Sequence, residues 1–341
     1  MEHVAVDLGG RESQICVRDE HGEIVAEQRV QTQRLGRWLA RRPQSRVILE
    51  TCAESFWAAE VAQSYGHEVR VVPATLVRSL GVGARRIKTD QRDARCLSEV
   101  SSRISLPSVH IPSSTARERK TLCSMRQGLV GMRTQSINMA RGWLRGQACT
   151  LPSGSSPTFA RRVRQRLLEL NVGVPTYVER TLIVIESLCE QIAAADRELA
   201  AIANTDPVCT RLMTVPGIGP ITAVNFVATV DDVQRFTSAH QLQSFLGLTP
   251  GESSSGQRKH RLSITKAGPG RTRWTLVQAA WSVRRCHRGS RLWHWGQTIE
   301  QRRGKHIAVV AMARKIAGIL YAIWRTEQNY DPMRAARAID V

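Results

Sequence analysis

The stretch EHVAVDLGG, residues 2–10, decides the fold of the N-terminal part of this chain. Its apolar residues predict a buried strand over residues 2–8, and Asp7 stands at the end of that strand, before a glycine pair. Two further strands are predicted over residues 13–19 and 23–30, separated by a short turn. The chain therefore begins with a three-stranded meander.

The elements after the meander alternate between helices and strands. A basic helix over residues 35–42 precedes a strand over residues 46–50. An amphipathic helix over residues 54–65 leads to a further strand over residues 68–72. The order β-β-β-α-β-α-β predicts an α/β domain with a mixed sheet flanked by helices.

The charge balance indicates a polyanionic partner. Among 341 residues there are 49 Lys+Arg against 29 Asp+Glu, a formal net charge of +20, and each cation near a phosphate adds affinity by releasing a counterion.

The longest apolar segment, Ile307 to Trp324, is interrupted by Arg314 and Lys315, so no membrane-spanning helix is expected. The eight cysteines are scattered without a CxxC pair, which favours reduced thiols over a zinc site. Reduced thiols indicate a cytoplasmic protein, and the positive charge suggests that it is associated with the nucleoid.

Four acidic residues form a candidate metal site. Asp7 ends the first predicted strand and Glu50 ends the fourth, while Asp90 and Asp93 lie one helical turn apart at the start of a later helix. Taken alone, Asp90 and Asp93 are better explained by capping and the helix dipole. Taken together, the strand ends can converge, and four crowded carboxylates require a divalent cation, Mg²⁺ or Mn²⁺. Two such ions about 4 Å apart would clamp the attacking and leaving oxygens of a phosphodiester.

The middle of the chain is basic and helical. Several arginines of residues 103–160 fall on one helix face, which favours a nucleic-acid-binding helix over a solvated basic face; they are Arg126, Arg133, Arg141 and Arg145. Apolar or small residues then recur in alternating steps of three and four at positions 178, 181, 185, 188, 192, 195, 199 and 202. This spacing is typical of a coiled-coil seam, either between chains in an oligomer or within an intramolecular helical hairpin.

The segment from Leu212 to Pro220, followed by ITAVNFVATV, resembles a helix-hairpin-helix motif. Its turn contains Gly217 and Gly219 and would direct backbone N–H groups and a helix N-terminus at a phosphate. A simple Gly/Pro turn between two packed helices is the alternative.

A second candidate centre lies in the stretch from Gly247 to Trp281, GLTPGESSSGQRKHRLSITKAGPGRTRWTLVQAAW. Ser253, Ser254 and Ser255 precede Gly256 on a predicted flexible turn, and many cations follow. A serine hydroxyl among fixed positive charges suits a nucleophile that attacks phosphate. Alone, this stretch is better explained as a solvated Ser/Gly-rich loop with a basic face.

The segments VDLGG, VILET and KTDQRDA, in this order, resemble the N-terminal domain of DEDD-type insertion-sequence transposases. That domain is similar to the RuvC Holliday-junction resolvase and has a ribonuclease-H-like fold. The resemblance implies that Asp7, Glu50, Asp90 and Asp93 bind metal and take part in catalysis, with Lys88 beside them as a nucleic-acid contact.

The segments TVPGIGPITA, FLGLTP, SSG, ITKAG and GKHIAVVAMARK resemble the C-terminal domain of the same family. The resemblance implies that Ser255 forms a phosphoserine link to DNA, and the tripled serine leaves Ser254 and Ser253 as alternatives. It also implies a structured guide RNA. The seam over residues 178–202, if it pairs between chains, predicts a homo-oligomer, a dimer or tetramer, and the two centres would meet either within one chain or between copies. The phosphate-binding candidates are Arg258, Lys259, Arg261, Lys266 and Arg273.

The predicted organisation has four parts. They are a RuvC-like domain over residues 1–104, a basic helical linker and coiled coil over 105–205, a mainly α-helical serine transposase domain over 206–330, and a tail over 331–341.

Three functions are compatible with these features. The first is a site-specific DNA recombinase that acts through a covalent phosphoserine intermediate. The alternative is a metal-dependent nuclease or Holliday-junction resolvase, in which the carboxylates activate water and the serine stretch only binds DNA. A non-catalytic nucleic-acid binder is disfavoured, because acidic residues clustered in a basic protein weaken phosphate affinity unless they hold a metal.

Overall fold

The structure, a computed structural model, describes residues 1–79, 89–255 and 258–332. For residues 78–79, 253–255 and 258–261 it describes the backbone alone. The chain divides into two compact units, Met1–Pro112 and Ser113–Val341, and each unit has hydrophobic cores of its own.

A mixed sheet of five strands forms the centre of the first unit. Its strands are β1 His3–Asp7, β2 Glu12–Arg18, β3 Ile24–Gln31, β4 Arg46–Glu50 and β5 Glu68–Val72. They lie in the order β3-β2-β1-β4-β5, with β1, β2 and β3 antiparallel and with β4 and β5 parallel to β1. The predicted mixed sheet is confirmed, and β4 and β5 have the predicted bounds.

Helices cover both faces of this sheet. They are α1 Leu35–Leu39, α2 Ser55–Ser64, α3 Ala74–Ser79 and α4 Asp90–Arg103. Because side chains alternate along a strand, Val4 and Val6 enter the core that α1 and α2 cover, whereas Ala5 enters the core that α4 covers. The central strand β1 is therefore buried on both faces, as its continuous apolar sequence indicates.

The second unit is helical apart from one hairpin. Its elements are α5 Ser114–Gly146, α6 Phe159–Glu169, α7 Thr176–Thr205, α8 Pro207–Leu212, α9 Pro220–Val230, α10 Ala239–Phe245, β6 Pro250–Ser255, β7 Arg258–Ile264, α11 Gly270–Cys286, α12 Arg291–Arg303 and α13 Lys305–Thr326. The mainly α-helical C-terminal region is confirmed.

The two longest helices of this unit, α5 and α7, pack antiparallel. Arg119 Nη1 lies 2.6 Å from Asp206 Oδ2, and Arg126 Nε lies 2.7 Å from Asp196 Oδ1. Residue numbers rise along α5 as they fall along α7, which defines the antiparallel direction. The helical hairpin within one chain is thus the alternative that the structure favours for the predicted seam.

The buried face of α7 follows the predicted seam in one of its two rows. Four predicted positions at seven-residue spacing are buried, and they are Val178, Ile185, Ile192 and Leu199. The second row is shifted by one residue at its two ends, where Leu182 and Ala203 are fully buried in place of Thr181 and Ile202, whereas its middle positions are only partly buried. These two residues meet helices other than α5, since Leu182 lies in the core that includes α6 and Ala203 lies in the core that includes α9. The buried face of α7 is therefore wider than that of a two-stranded coiled coil.

Two of the four arginines predicted to face nucleic acid instead face α7. Arg126 forms the ion pair described above, and Arg133 Nη1 lies 4.0 Å from the sulfur of Cys189. The guanidinium carbon of Arg141 lies 5.6 Å from the ring centre of Phe159. The nucleic-acid interpretation is wrong for Arg126 and Arg133, because their seven-residue spacing directs both toward the neighbouring helix.

The helix α13 is the central core helix of the second unit. It packs against α10, α11 and α12, and its buried residues include Met312, Ile316 and Leu320. By length and apolar composition alone this helix could cross a membrane, but half of the segment in question is buried inside the unit. A core helix meets the same criteria, and its packing identifies α13 as one.

Candidate functional site

Asp7 and Glu50 occupy equivalent positions on adjacent parallel strands. Val6 of β1 pairs with Leu49 of β4, so the next residues, Asp7 and Glu50, stand side by side at the carboxyl ends of both strands. By strand alternation both share the sheet face of Ala5, which α4 covers. The predicted convergence of these two strand ends is therefore present in the fold.

The helix α4 places Asp93 at the same end of this face. His3 Nδ1 and Ser101 Oγ are 2.8 Å apart, which fixes the end of α4 at the start of β1. Asp93 is eight residues before Ser101, about 12 Å along a helix, and Asp7 is four residues beyond His3, about 13 Å along a strand. Asp93, which is only 3% exposed, therefore lies level with Asp7.

Asp90 is exposed in the first turn of α4. The side-chain cap of this helix is Thr89, whose Oγ1 accepts a hydrogen bond of 3.3 Å from the backbone N–H of Arg92. Capping therefore does not require Asp90 or Asp93, although the helix dipole favours carboxylates in this turn. Lys88, the predicted nucleic-acid contact beside them, lies outside the described residues.

The chemistry of these side chains suits a divalent cation. Asp7, Glu50 and Asp93 offer oxygen donors, the ligands that Mg²⁺ and Mn²⁺ prefer. Within residues 1–79, 89–255 and 258–332, however, no three Asp, Glu, His or Cys side chains are close enough together to hold a metal ion. The residues fit such an ion by type, and Asp7 and Glu50 end adjacent parallel strands on the sheet face that α4 covers.

A pair that sequence reasoning missed holds α4 against the sheet. Arg95 Nε and Nη2 donate to the two carboxylate oxygens of Glu27 on β3, each at 2.5 Å. The bonds from Arg95 hold the pKa of Glu27 below its usual range. The start of α4, and with it Asp93, is thereby tied to the edge strand of the sheet.

The three serines lie on a strand rather than on the predicted turn. Along the β6–β7 hairpin Ser253 pairs with His260, Ser254 with Lys259, and Ser255 with Arg258. Ser255 is therefore the last paired residue before the end of the hairpin, where residues 256–257 lie outside the described part of the chain. Because strand positions alternate, Ser253 and Ser255 stand on one face of the hairpin and Ser254 on the other.

The base of this hairpin is closed by contacts that explain its shape. Thr265 donates from its backbone N–H to Thr249 O at 2.9 Å, which continues the pairing beyond the strands. Gly247 has φ +66° and a Cβ there would overlap the backbone of Ala267, while Gly268 has φ +72°. The left-handed backbone and the close approach both require glycine, so a side chain at either position would disturb the hairpin base.

Arg273 belongs to this closure. Its Nη1 donates to Leu246 O and to Ala267 O, both at 2.9 Å, and these bonds hold the loop before α11 in place. Lys266 is exposed beside it with φ +55°. The other phosphate-binding candidates belong to the strand β7, of which the structure describes the backbone at these positions; they are Arg258, Lys259 and Arg261.

The predicted helix-hairpin-helix turn joins α8 to α9. Gly217 has φ +84°, and a Cβ there would lie 2.6 Å from Ala279 O of α11, so this glycine is explained by packing between helices. Gly219 has open space around its Cβ position and precedes the first turn of α9. Of the two glycines, Gly219 is the one that an anion could approach.

A buried polar cluster connects α9 with the start of α11. Asn225 Nδ2 lies 3.2 Å from the hydroxyls of both Thr272 and Thr275, and Thr272 Oγ1 is 2.7 Å from Thr229 Oγ1. Asn225 stands within the apolar run ITAVNFVATV, and its polar character there was the one available signal. This cluster fixes the start of α11 directly after the base of the hairpin.

Comparisons with known proteins match both units. Residues 209–294 match the family model described as transposase IS116/IS110/IS902 family. Residues 4–147 match the DEDD domain model of IS110 transposases.

Curated relatives are similar over nearly the whole chain. The transposase for insertion sequence element IS1111A of Coxiella burnetii is 28% identical over 333 residues, which cover 96% of this chain and 90% of the relative. The transposase for insertion sequence element IS1328 of Yersinia enterocolitica is 27% identical over 329 residues, 94% of this chain and 96% of the relative. The protein y4rJ of Sinorhizobium fredii, which is named as a transposase, is 31% identical over 311 residues, which cover 82% of this chain and 76% of the relative.

Proposed function

Because the chain belongs to the IS110/IS116/IS902 family of insertion-sequence transposases, we propose that it cuts and rejoins DNA through a covalent phosphoserine intermediate. The observation that best supports this proposal is the position of Ser255. It is the last paired residue of a hairpin whose base is locked, and its cross-strand neighbour is the cation Arg258. A nucleophile on a fixed element beside a positive charge is suited to attack on a phosphodiester.

The proposed step conserves phosphoester bonds. The Ser255 oxygen bonds to phosphorus and displaces one sugar oxygen, so one ester bond forms as one breaks. The serine proton leaves to a base and the departing sugar oxygen takes up a proton. Attack by a DNA hydroxyl on the phosphoserine reverses these changes, so strands are rejoined without ATP.

The carboxylates are proposed to hold the divalent metal that a DEDD domain indicates. Asp7, Glu50 and Asp93 would bind it, with Asp90 as a fourth ligand and with Mg²⁺ as the ion and Mn²⁺ as a substitute. When bound, this ion would offset negative charge that builds up on the phosphate. The chain's own contribution would be to present these carboxylates at the carboxyl ends of β1 and β4 and at the start of α4.

DNA is proposed to contact the second unit through backbone and basic groups. Gly219 and the N–H groups that open α9 form the phosphate-facing part of a helix-hairpin-helix-like turn. Arg258, Lys259, Arg261 and Lys266 on and beside β7 are proposed to bind DNA close to Ser255. In the first unit, Lys88 is proposed to contact nucleic acid.

A structured guide RNA is the second proposed nucleic-acid partner. The net charge of +20 supports more than one polyanion, and pairing by a guide would place sequence choice outside the protein. Purification of the chain from cells that carry its element, followed by sequencing of the bound nucleic acid, tests this. Recovery of one discrete RNA encoded beside the gene would support the guide, and recovery of DNA alone would return the proposal to a protein-only recombinase.

The chain is also proposed to form a homo-oligomer, through the exposed face of α5. Met125, Met132 and Met139 are exposed there at seven-residue spacing. Gly128 and Gly131 lie between them, with open space where a Cβ would stand. Glycine lowers helix stability by about 1 kcal/mol relative to alanine, and its advantage on such a face is the close approach of a second helix.

The charge of this face favours a second copy over nucleic acid. The only charged residues from 121 to 140 are Arg126 and Arg133, and both face α7. Two copies that each carry +20 repel one another, so their contact requires a surface without cations. The predicted seam on α7 is already covered by α5, which moves the proposed contact from α7 to α5.

The covalent intermediate is tested by denaturing the full-length protein after reaction with DNA that spans the ends of its element. A DNA adduct that survives denaturation is expected from the native protein, and its loss is expected in Ser255→Ala. An adduct that persists in Ser255→Ala but disappears in Ser254→Ala would move the nucleophile by one residue. Free 5′-phosphate ends with no adduct in any variant would establish the alternative, a metal-dependent nuclease.

A further inference from the structure

The helix α12 and the turns at its two ends carry a group of exposed cations. None of these cations forms an ion pair within the part of the chain that the structure describes. Three belong to the α11–α12 end and three to the α12–α13 end, and they are Arg285, Arg288, Arg291, Arg302, Arg303 and Lys305.

The acidic residue of this segment does not neutralise them. Between residues 284 and 306 there are seven Lys or Arg residues and one acid, Glu300. Glu300 accepts from Arg284 Nε at 2.9 Å and from Arg284 Nη2 at 2.7 Å, and these bonds lower the pKa of Glu300. The carboxylate is therefore committed to the seventh cation, and the six exposed ones remain as a positive surface.

The scaffold under this surface is rigid. Leu292 of α12 is buried, and a Cβ at Gly296 would overlap the side chain of Met312, so α12 lies unusually close to the core helix α13. Ser290 caps α12 by accepting from the backbone N–H of Trp293 at 3.2 Å. Gly304, with φ +82°, makes the sharp turn into α13. From Arg291 to Arg302 the helix spans about 17 Å, so the two cation groups are held apart at a fixed distance.

We propose that the exposed face of α12, with the turns at its ends, binds the phosphate backbone of a nucleic acid. The surface between the cation groups is polar, with His294, Thr298 and Gln301 exposed, and can donate hydrogen bonds to phosphate oxygens. It lacks exposed apolar side chains, within the described residues, of the kind that an interfacial membrane helix inserts. Binding here does not depend on the serine nucleophile, so the proposal stands or falls separately from the phosphoserine reaction.

The salt dependence of binding tests this surface directly. Each phosphate contact on duplex DNA contributes about 0.9 to the slope of log affinity against log salt, and about 0.7 on a single strand. In the full-length protein, the triple variant Arg288→Gln, Arg291→Gln, Arg302→Gln should make this negative slope shallower, by about 2.7 on a duplex and by about 2.1 on a single strand. The source of the phosphates is identified by running a DNA duplex, a DNA single strand and an RNA hairpin in parallel.

A matched control separates local contacts from net charge. The triple variant Arg161→Gln, Arg180→Gln, Arg197→Gln removes three charges from exposed positions on α6 and α7 and should leave the slope nearly unchanged. Equal slopes for the native protein and the α12 variant would overturn the proposal, and so would an equal decrease in both triple variants. Loss of binding to vesicles of anionic lipid, with no change on any nucleic acid, would assign the surface to a membrane. Thermal unfolding should be unchanged in both variants, because every replaced side chain is exposed.

Discussion

Arg95 on α4 and Glu27 on β3 form a bidentate ion pair, in which Nε and Nη2 of Arg95 each lie 2.5 Å from a carboxylate oxygen of Glu27. The pair connects residues 68 apart in sequence and ties the first turns of α4 to the sheet. Asp93 is two residues before Arg95, so this attachment contributes to its position level with Asp7. We expect Glu27→Gln to lower the midpoint of thermal unfolding and to reduce metal-dependent DNA cleavage, because the geometry of the carboxylates loosens.

The same pair predicts a dependence on pH. The pKa of Glu27 is lowered in the folded chain by Arg95, so its stabilising effect is present above the ordinary glutamate pKa of 4.5 and is lost as pH falls through the lowered value. Urea unfolding at pH 7 should therefore separate the native protein from Glu27→Gln, and the difference should shrink at pH 3. A difference that stays constant or grows on acidification would contradict this assignment.

Gly217 and Gly219 should respond differently to the same substitution. Gly217→Ala places a side chain at φ +84° and against Ala279 O, and we expect it to lower the free energy of unfolding by at least about 2 kcal/mol. Gly219→Ala has open space and φ −103°, so its cost should stay below about 1 kcal/mol. Urea denaturation of the full-length variants measures both, and similar losses would show that the turn is not packed on α11 as described.

The buried threonine of α11 gives a further test of the second unit. Thr272→Val keeps the side-chain shape but removes the hydroxyl that meets Asn225 and Thr229. We expect a loss of about 1–3 kcal/mol in the free energy of unfolding, because polar groups remain buried without their partner. Thr298→Val on the exposed face of α12 is the matched control and should change stability by less than about 0.5 kcal/mol.

Cysteine reactivity should divide by burial. Burial raises the pKa of Cys123 to about 11 and that of Cys209 to about 12, so neither forms the reactive thiolate at pH 8. Cys52 and Cys286 are exposed and should be alkylated first under native conditions. Mass spectrometry of the alkylated chain identifies the sites, and rapid native labelling of Cys123 or Cys209 would contradict the described core.

Self-association should depend on the exposed face of α5. Met132→Glu places a charge at the centre of the methionine row, and we expect it to shift the mass measured by light scattering toward the monomer. Leu168→Glu is the control, since Leu168 is 76% exposed on α6 and lies outside that row. An unchanged mass for Met132→Glu, or an equal shift in both variants, would remove α5 as the contact.

The first unit was predictable in large part because its signals are local. The bounds of β4 and β5 follow from short apolar runs between turn residues, and the convergence of Asp7 with Glu50 follows from the parallel neighbours β1 and β4. The pair Arg95 and Glu27 was not predictable, since its members lie on elements whose contact depends on how α4 crosses the sheet. Glu27 is partly buried in a strand of mixed polar and apolar residues, and that local pattern does not identify its partner.

The second unit was harder because its sequence patterns fit several partners. Spacing on α7 predicts a buried face but cannot say whether α5 or another copy covers it. The segment around the three serines has none of the β-branched and aromatic residues that favour strands, so its composition predicts a turn. The strand pairing is imposed instead by the closure at Gly247 and Gly268, which only the folded chain displays.

The closure at the hairpin base also determines which face of the hairpin each of the three serines occupies. With the hairpin base fixed, inserting or deleting one residue between Glu252 and Ser255, where the pairing is regular, would turn position 255 to the opposite face and bring its neighbour into its place. A change of two residues would restore the original side while moving the proposed nucleophile along the strand by about 7 Å. Length changes in this arm should therefore be tolerated in even steps more readily than in odd ones, a constraint set by the glycines at its base and not by the serines themselves.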